Sequence, residues 1–188
     1  MGYLNVASVR LCTEAEGPGK RFALWVQGCK HRCPGCCNPE MQEMKTNIIV
    51  DSVDVIGLIK NAKEQFDIEG VSFIGGEPML QSSGLSEIAK WCQSVGLSVL
   101  VFTGYLYEDL ISSGDIDVKR LLNNIDILVD GPFIQDEYDD VRDWVGSKNQ
   151  KVLLLSDRYE PGIEFTHNQR TMEVLVSDDS IFVNGWPF

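Results

Sequence analysis

No stretch of this 188-residue chain approaches the roughly 20 consecutive apolar residues that a membrane-spanning helix needs. Its start, "MGYLNVASVRLCTEAEG", lacks the basic opening and apolar run of a secretory signal, so a cytoplasmic protein is expected. Basic charge is scarce as well: 16 lysines and arginines stand against 28 aspartates and glutamates, a net charge of −12. Phosphate contacts want a basic face, so nucleic acid is not an expected partner. There are only two histidines, His31 and His167, and neither suggests a histidine acid–base site. Internal repeats and low-complexity tracts are absent. With 44% hydrophobic residues the chain has the composition of an ordinary globular unit, expected as one domain over 1–188.

What the sequence does concentrate is cysteine. The segment "GCKHRCPGCCNPE" (28–40) holds Cys29, Cys33, Cys36 and Cys37, four of the six cysteines. Their crowding and the missing signal fit a reduced compartment better than a disulfide framework. Cys36 and Cys37 are adjacent, and a trans peptide holds neighbouring Cα atoms only about 3.8 Å apart, shorter than a disulfide usually spans. Cys29, Cys33 and Cys36 follow Cys-x3-Cys-x2-Cys spacing. Three thiolates on one loop can wrap a compact soft-metal centre, and thiolate is the usual ligand of iron–sulfur clusters. On a [4Fe–4S] cube, three cysteines leave one iron open. A zinc site with His31 or Cys37 as fourth ligand is the competing reading, although the usual zinc patterns separate two ligand pairs by about a dozen or more residues. Cys92, beside Trp91 in a helical pattern, reads as core, and Cys12 has no partner pattern.

Apolar strands and helical stretches alternate along the chain. Strands are expected at 21–28, 70–76, 97–104, 125–131 and 151–156. Helices are expected at 51–66 and 83–96, with a polar helical stretch after 104. The first helix spaces Val53, Ile56, Ile59 and Phe66 at helical intervals, with Asp51 or Ser52 as N-cap. This order predicts an α/β fold with a parallel sheet and right-handed crossovers. A full eight-unit barrel takes about 250 residues, so a partial, open (β/α) barrel is expected over about 16–156. A β-rich extension follows over about 157–188, where "TMEVLVSDDSIFVNGWPF" reads as a hairpin around "SDDS". Ligands of parallel sheets gather at the C-terminal strand ends. The cysteine loop, "GGEP", "TGY" and "DGPF" each follow a strand and would face one mouth.

Cys-x3-Cys-x2-Cys after the first βα-type strand resembles the signature of the radical S-adenosylmethionine (SAM) superfamily. Within it, "EGPGKRFALWVQGCKHRCPGCCNPE" resembles the activating enzymes of anaerobic ribonucleotide reductase. "FIGGEPML", "VFTGYLYEDL", "DILVDGPFIQ" and "WVGSKNQKV" resemble further segments of that group, in the right order. The resemblance spans about residues 16–156. Where that group often has an aromatic after the third cysteine, this chain has Cys37.

The resemblance implies an open barrel of the radical SAM type, with Cys29, Cys33 and Cys36 holding a [4Fe–4S] cluster whose free iron takes SAM. Gly75, Gly76, Glu77 and Pro78 would bind the methionine amino group, the glycines by letting backbone approach. Thr103 and Gly104 would approach the nucleoside. Asp130 would bond a ribose hydroxyl or amino group, or else be a turn residue before Gly131-Pro132. Ser147 and Asn149 match a Gly-Ser-x-Asn-Gln segment that would also line the SAM site. Arg21 either fastens the cysteine loop or is a surface charge. Cys37 would pack beside the cluster. The implied reaction is reductive cleavage of SAM to a 5′-deoxyadenosyl radical that takes hydrogen from a glycine of a glycyl-radical enzyme, such as anaerobic ribonucleotide reductase. A flavodoxin-like or ferredoxin-like protein would be the reductant. The alternatives are a radical SAM enzyme acting directly on a peptide or small metabolite, and a non-catalytic zinc-binding module.

Overall fold

The structure, a computed structural model, describes residues 2–166, 171–176 and 181–185. His167 and the "SDDS" turn lie outside the described residues. Strands β1 (Tyr3–Thr13), β2 (Arg21–Val26) and β3 (Ile48–Asp51) precede helix α1 (Ser52–Phe66). Then come β4 (Gly70–Gly75), α2 (Ser82–Ser94), β5 (Ser98–Phe102), α3 (Tyr107–Ser112), α4 (Ile116–Leu122), β6 (Ile127–Asp130) and β7 (Lys151–Leu154). The chain continues to β8 (Met172–Val176) and β9 (Ile181–Gly185), which pair antiparallel as the expected hairpin strands.

Seven strands form one sheet in the order β3-β1-β2-β4-β5-β6-β7. The parallel expectation holds for β2, β4, β5 and β6. It is corrected at the flanks, where β1, β3 and β7 run antiparallel to their neighbours. A parallel return needs a long crossover, usually a helix packed on the sheet. Residues 131–150 form no such helix, so β7 re-enters beside β6 in the opposite direction. The edge strands β3 and β7 do not pair with each other, so the sheet is a mixed α/β sheet and no closed barrel.

Strand alternation sorts side chains onto two faces. Phe22, Leu24 and Val26 of β2 join Val71, Phe73, Val99, Val101 and Leu128 beneath the helices. Ala23 and Trp25 point the other way and pack with Ile74, beside Ala7, Met41 and Phe102. The helical side is closed by Val55, Ile59 and Ala62 of α1, by Leu85, Ile88, Ala89 and Cys92 of α2, and by Val118 and Leu121 of α4. Asp51 caps α1 by accepting from Val53 N–H at 2.9 Å. The inward face of α1 is offset from the expected one: Val53 is exposed, whereas Val55 and Ala62 are buried. Cys92 is core as expected, and burial pushes its thiol up to about 12.

Arg21 corrects both of its expected roles, because it is completely buried at the start of β2, the strand end opposite the cysteine loop. Its guanidinium donates to Ser72 Oγ (2.7 Å), Ser98 Oγ (3.0 Å), Val71 O (2.6 Å) and Pro18 O (3.1 Å), tying together the beginnings of β2, β4 and β5. No described helix is long and apolar enough to cross a membrane.

Candidate functional site

The site is built where β2 and β4 end side by side, Val26 opposite Gly75 in the parallel register. Gly28 N–H donates to Met41 O (2.8 Å) and Cys29 N–H to Gln42 O (3.1 Å), so the cysteine loop leaves and returns along one path. Buried Gln27 reinforces the return, its Nε2 donating to Glu43 O (2.8 Å) and Glu40 O (3.3 Å). The turn after β4 sits on this base: Gly76 N–H donates to Val26 O (2.8 Å) and Glu77 N–H to Gly28 O (2.9 Å). That closeness explains the glycines. Gly75 has φ +105°, a region side chains rarely adopt, and a Cβ on Gly76 would run into the carbonyl oxygens of Gly28 and Met41.

Glu77, only 1% exposed, is the polar hub. Its Oε1 accepts from Met79 N–H (2.9 Å) and the Thr103 hydroxyl (2.8 Å), and its Oε2 accepts from Gly104 N–H (2.8 Å). The carboxylate thus joins the ends of β4 and β5. His31 Nε2 lies 3.4 Å from the same Oε2. Three protein donors already hold the carboxylate, which gives it a structural role at this junction. Pro78 is buried and opens the short turn that leads into α2.

Cys29, Cys33, Cys36 and Cys37 all line one cavity of about 1030 Å³, together with Gly75, Gly76, Glu77, Thr103 and Gly104. Cys29 is buried, Cys33 and Cys36 are half-buried and Cys37 is exposed. Burial pushes the Cys29 and Cys33 thiols up from their ordinary range. A hydrogen bond from the Cys37 thiol brings Cys36 down to about 6, and the same contact pushes Cys37 up. The thiolate is the form of cysteine that binds metals. Among the described residues no three His, Cys, Asp or Glu side chains converge as a single metal ion requires. Thiols gathered on one loop and facing the cavity are the donor set that an iron–sulfur cube takes.

Four expected site residues lie off the cavity wall: Pro78, in the turn after β4, and Asp130, Ser147 and Asn149. Asp130 is buried with both carboxylate oxygens engaged, Oδ2 by Tyr107 N–H (2.8 Å) and Oδ1 by Lys151 N–H (3.3 Å). Ser147 is fully buried, its Oγ accepting from Ile134 N–H at 3.1 Å, and Asn149 Nδ2 donates to Pro132 O at 2.8 Å. They fold the 131–150 segment, whose Phe133, Trp144, Gly146 and Gln150 reach the cavity in their place. Trp144 holds φ +62°, unusual for a bulky residue, between buried Asp143 and Val145. No pattern in the sequence marks Trp144 or Phe133, because only the fold of the loop brings them to the wall.

The far rim is closed by the hairpin. Glu16, from the β1–β2 connection, accepts from Gly185 N–H at 2.8 Å; Asn184 Nδ2 donates to Thr13 Oγ1 at 3.0 Å and Glu14 N–H to Glu173 Oε1 at 2.8 Å. Burial raises the Glu16 carboxyl to about 7.

Comparison with known proteins agrees with this geometry. The family described as "4Fe-4S single cluster domain" matches residues 15–153. The anaerobic ribonucleoside-triphosphate reductase-activating protein of Salmonella typhi is 34% identical over 152 residues, covering 73% of this chain and 90% of the relative. The protein of the same name from Escherichia coli K12 gives the same identity and coverage. That of Enterobacteria phage T4 is 26% identical over 158 residues, covering 82% of this chain and 96% of its own. With the cysteine loop, the turn after β4 and the end of β5 gathered on one cavity, the chain belongs to the family of anaerobic ribonucleoside-triphosphate reductase-activating proteins.

Proposed function

We propose that this chain is a radical SAM activating enzyme that installs a glycine-centred radical in an anaerobic ribonucleotide reductase. The observation that carries the reading is the meeting of Cys29, Cys33 and Cys36 with Gly75–Glu77 and Thr103–Gly104 on one cavity. Cys29, Cys33 and Cys36 would hold a [4Fe–4S] cluster, and the cavity has room for SAM beside it. A cluster held there would supply, once reduced, the electron for cleaving SAM to methionine and a 5′-deoxyadenosyl radical, which would take a hydrogen atom from the partner's glycine.

The chain's own residues bind and orient. The backbone of Gly75 and Gly76 can lie against the methionine end because no side chain intervenes. Thr103 and Gly104 bring the end of β5 to the same place, held there by Glu77. Trp25, Phe102, Phe133 and Trp144 give the cavity apolar walls that keep water from a reactive species. Asp130, Ser147 and Asn149 contribute by bracing the loop that carries two of those walls. No side-chain base is needed for hydrogen-atom transfer.

In this reading residues 1–188 form one cytoplasmic domain with an open barrel of the radical SAM type, and a flavodoxin-like or ferredoxin-like protein supplies the electron. The test is anaerobic reconstitution, iron and sulfide analysis, and reduction in the presence of SAM. Four irons per chain and formation of 5′-deoxyadenosine are expected, with a glycine-radical signal when an anaerobic reductase is added. Zinc without sulfide, or a Cys29→Ala variant with full SAM cleavage, would overturn it.

A further inference from the structure

We propose that His31 is a positioning residue that locks the cysteine loop to the two segments expected to cradle SAM; this rests on reading the cavity as the cluster and SAM site. His31 lies between Cys29 and Cys33, yet its side chain points away from a purely local role. Its ring packs edge-on against Tyr105, centroids 4.5 Å apart at 69°. It also fills the space beside Gly104, where a Cβ would come within 2.6 Å of Cδ2 and 2.8 Å of Nε2. Glycine at 104 is thus what lets the imidazole seat.

The nitrogen Nε2 is buried and has no hydrogen bond of acceptable geometry, although Glu77 Oε2 is 3.4 Å away. A buried nitrogen without a partner is unfavourable, so a small shift that closes this contact is favoured. With its proton on Nε2, the imidazole would donate to the carboxylate. Hydrogen bonds of a site are often long before its ligands bind and tighten in the complex. Filling the cavity with cluster and SAM would therefore draw the cysteine loop toward Glu77, which already holds Thr103 and Gly104. One imidazole then sets the register of all three segments.

The experiment uses the full chain, reconstituted anaerobically, with iron and sulfide content, SAM affinity by equilibrium dialysis, and the electron paramagnetic resonance spectrum of the reduced cluster with and without SAM. His31→Ala keeps its cluster, binds SAM about 10- to 100-fold more weakly, and loses the SAM-induced spectral change at concentrations that saturate the unaltered chain. His31→Gln, which keeps a donor at similar reach, recovers most of the affinity. Gly104→Ala, which expels the imidazole, reproduces the His31→Ala behaviour. The inference is overturned by wild-type affinity and spectrum in His31→Ala, by loss of the cluster in that variant, or by a His31→Gln variant no better than alanine. An unaltered chain whose cluster spectrum ignores SAM removes the underlying reading, and this inference with it.

Discussion

The Thr103 hydroxyl donates to Glu77 Oε1 at 2.8 Å, joining the end of β5 to the turn after β4 through a carboxylate that solvent barely reaches. Hydrogen bonds to charged groups are worth about 1.5–3 kcal/mol, and a buried carboxylate robbed of a donor costs at least that much. Thr103→Val should lower stability by about that amount in urea unfolding and weaken SAM binding in dialysis. Thr103→Ser, which keeps the donor, should lose much less. Equal behaviour of the two variants would show that the hydroxyl is not what matters.

Gly76 and Gly57 make a contrast. A Cβ on Gly76 would meet backbone, including Met41 O at 2.8 Å, whereas one on Gly57 in α1 meets nothing within 4 Å. Gly76→Ala should push the turn off the cysteine loop and reduce the iron retained after reconstitution. Gly57→Ala should leave iron content alone and raise stability by about 0.5–1 kcal/mol, the helix preference of alanine over glycine.

Arg21 is far from the chemistry but central to the sheet. Arg21→Met keeps the aliphatic bulk and strips the donors from Ser72, Ser98, Val71 O and Pro18 O. A loss of about 3 kcal/mol or more in chemical denaturation is expected. The folded variant should bind SAM normally, because Arg21 sits at the opposite strand end from the cysteines.

Glu16 gives a pH dependence of defined sign. Burial raises its carboxyl to about 7, with Glu173 adding to the shift and Gly185, Asn184 and Arg10 opposing it. Between the ordinary carboxylate range and about 7 the folded state binds more protons than the unfolded one. Its contribution to stability is therefore present at low pH and lost as pH rises through about 7. Glu16→Gln, which can still accept from Gly185 N–H, should flatten this part of the profile. Thermal unfolding at pH 5.5 and 8 should show the gap narrowing by roughly 2–4 °C per kcal/mol removed.

Much of the site was legible because the cysteine spacing, the glycine pair and the Thr-Gly pair are local features, each at the end of an apolar run. The helices and the parallel strands β2, β4, β5 and β6 were legible for the same reason: their periodicity is written within each segment. β1 was not, since Asn5, Ser8 and Arg10 interrupt its apolar residues and its pairing with β2 and β3 is a matter of distant partners. Arg21 reads as a fastener of the cysteine loop or as a surface charge until three strand ends close over it.

By itself, then, the sequence determined that three thiols share one loop, that strands alternate with helices, and that the unusual residues follow strand ends. Only the tertiary structure decided which of the candidates face the cavity. Asp130, Ser147 and Asn149 turn to backbone partners, while Trp144 and Phe133 take the wall. The physical reason is that buried polar groups must find partners wherever the chain brings them, and those partners lie up to 23 residues away in sequence from Asp130. Spacing places a residue on a loop; packing and hydrogen-bond satisfaction choose the direction it points.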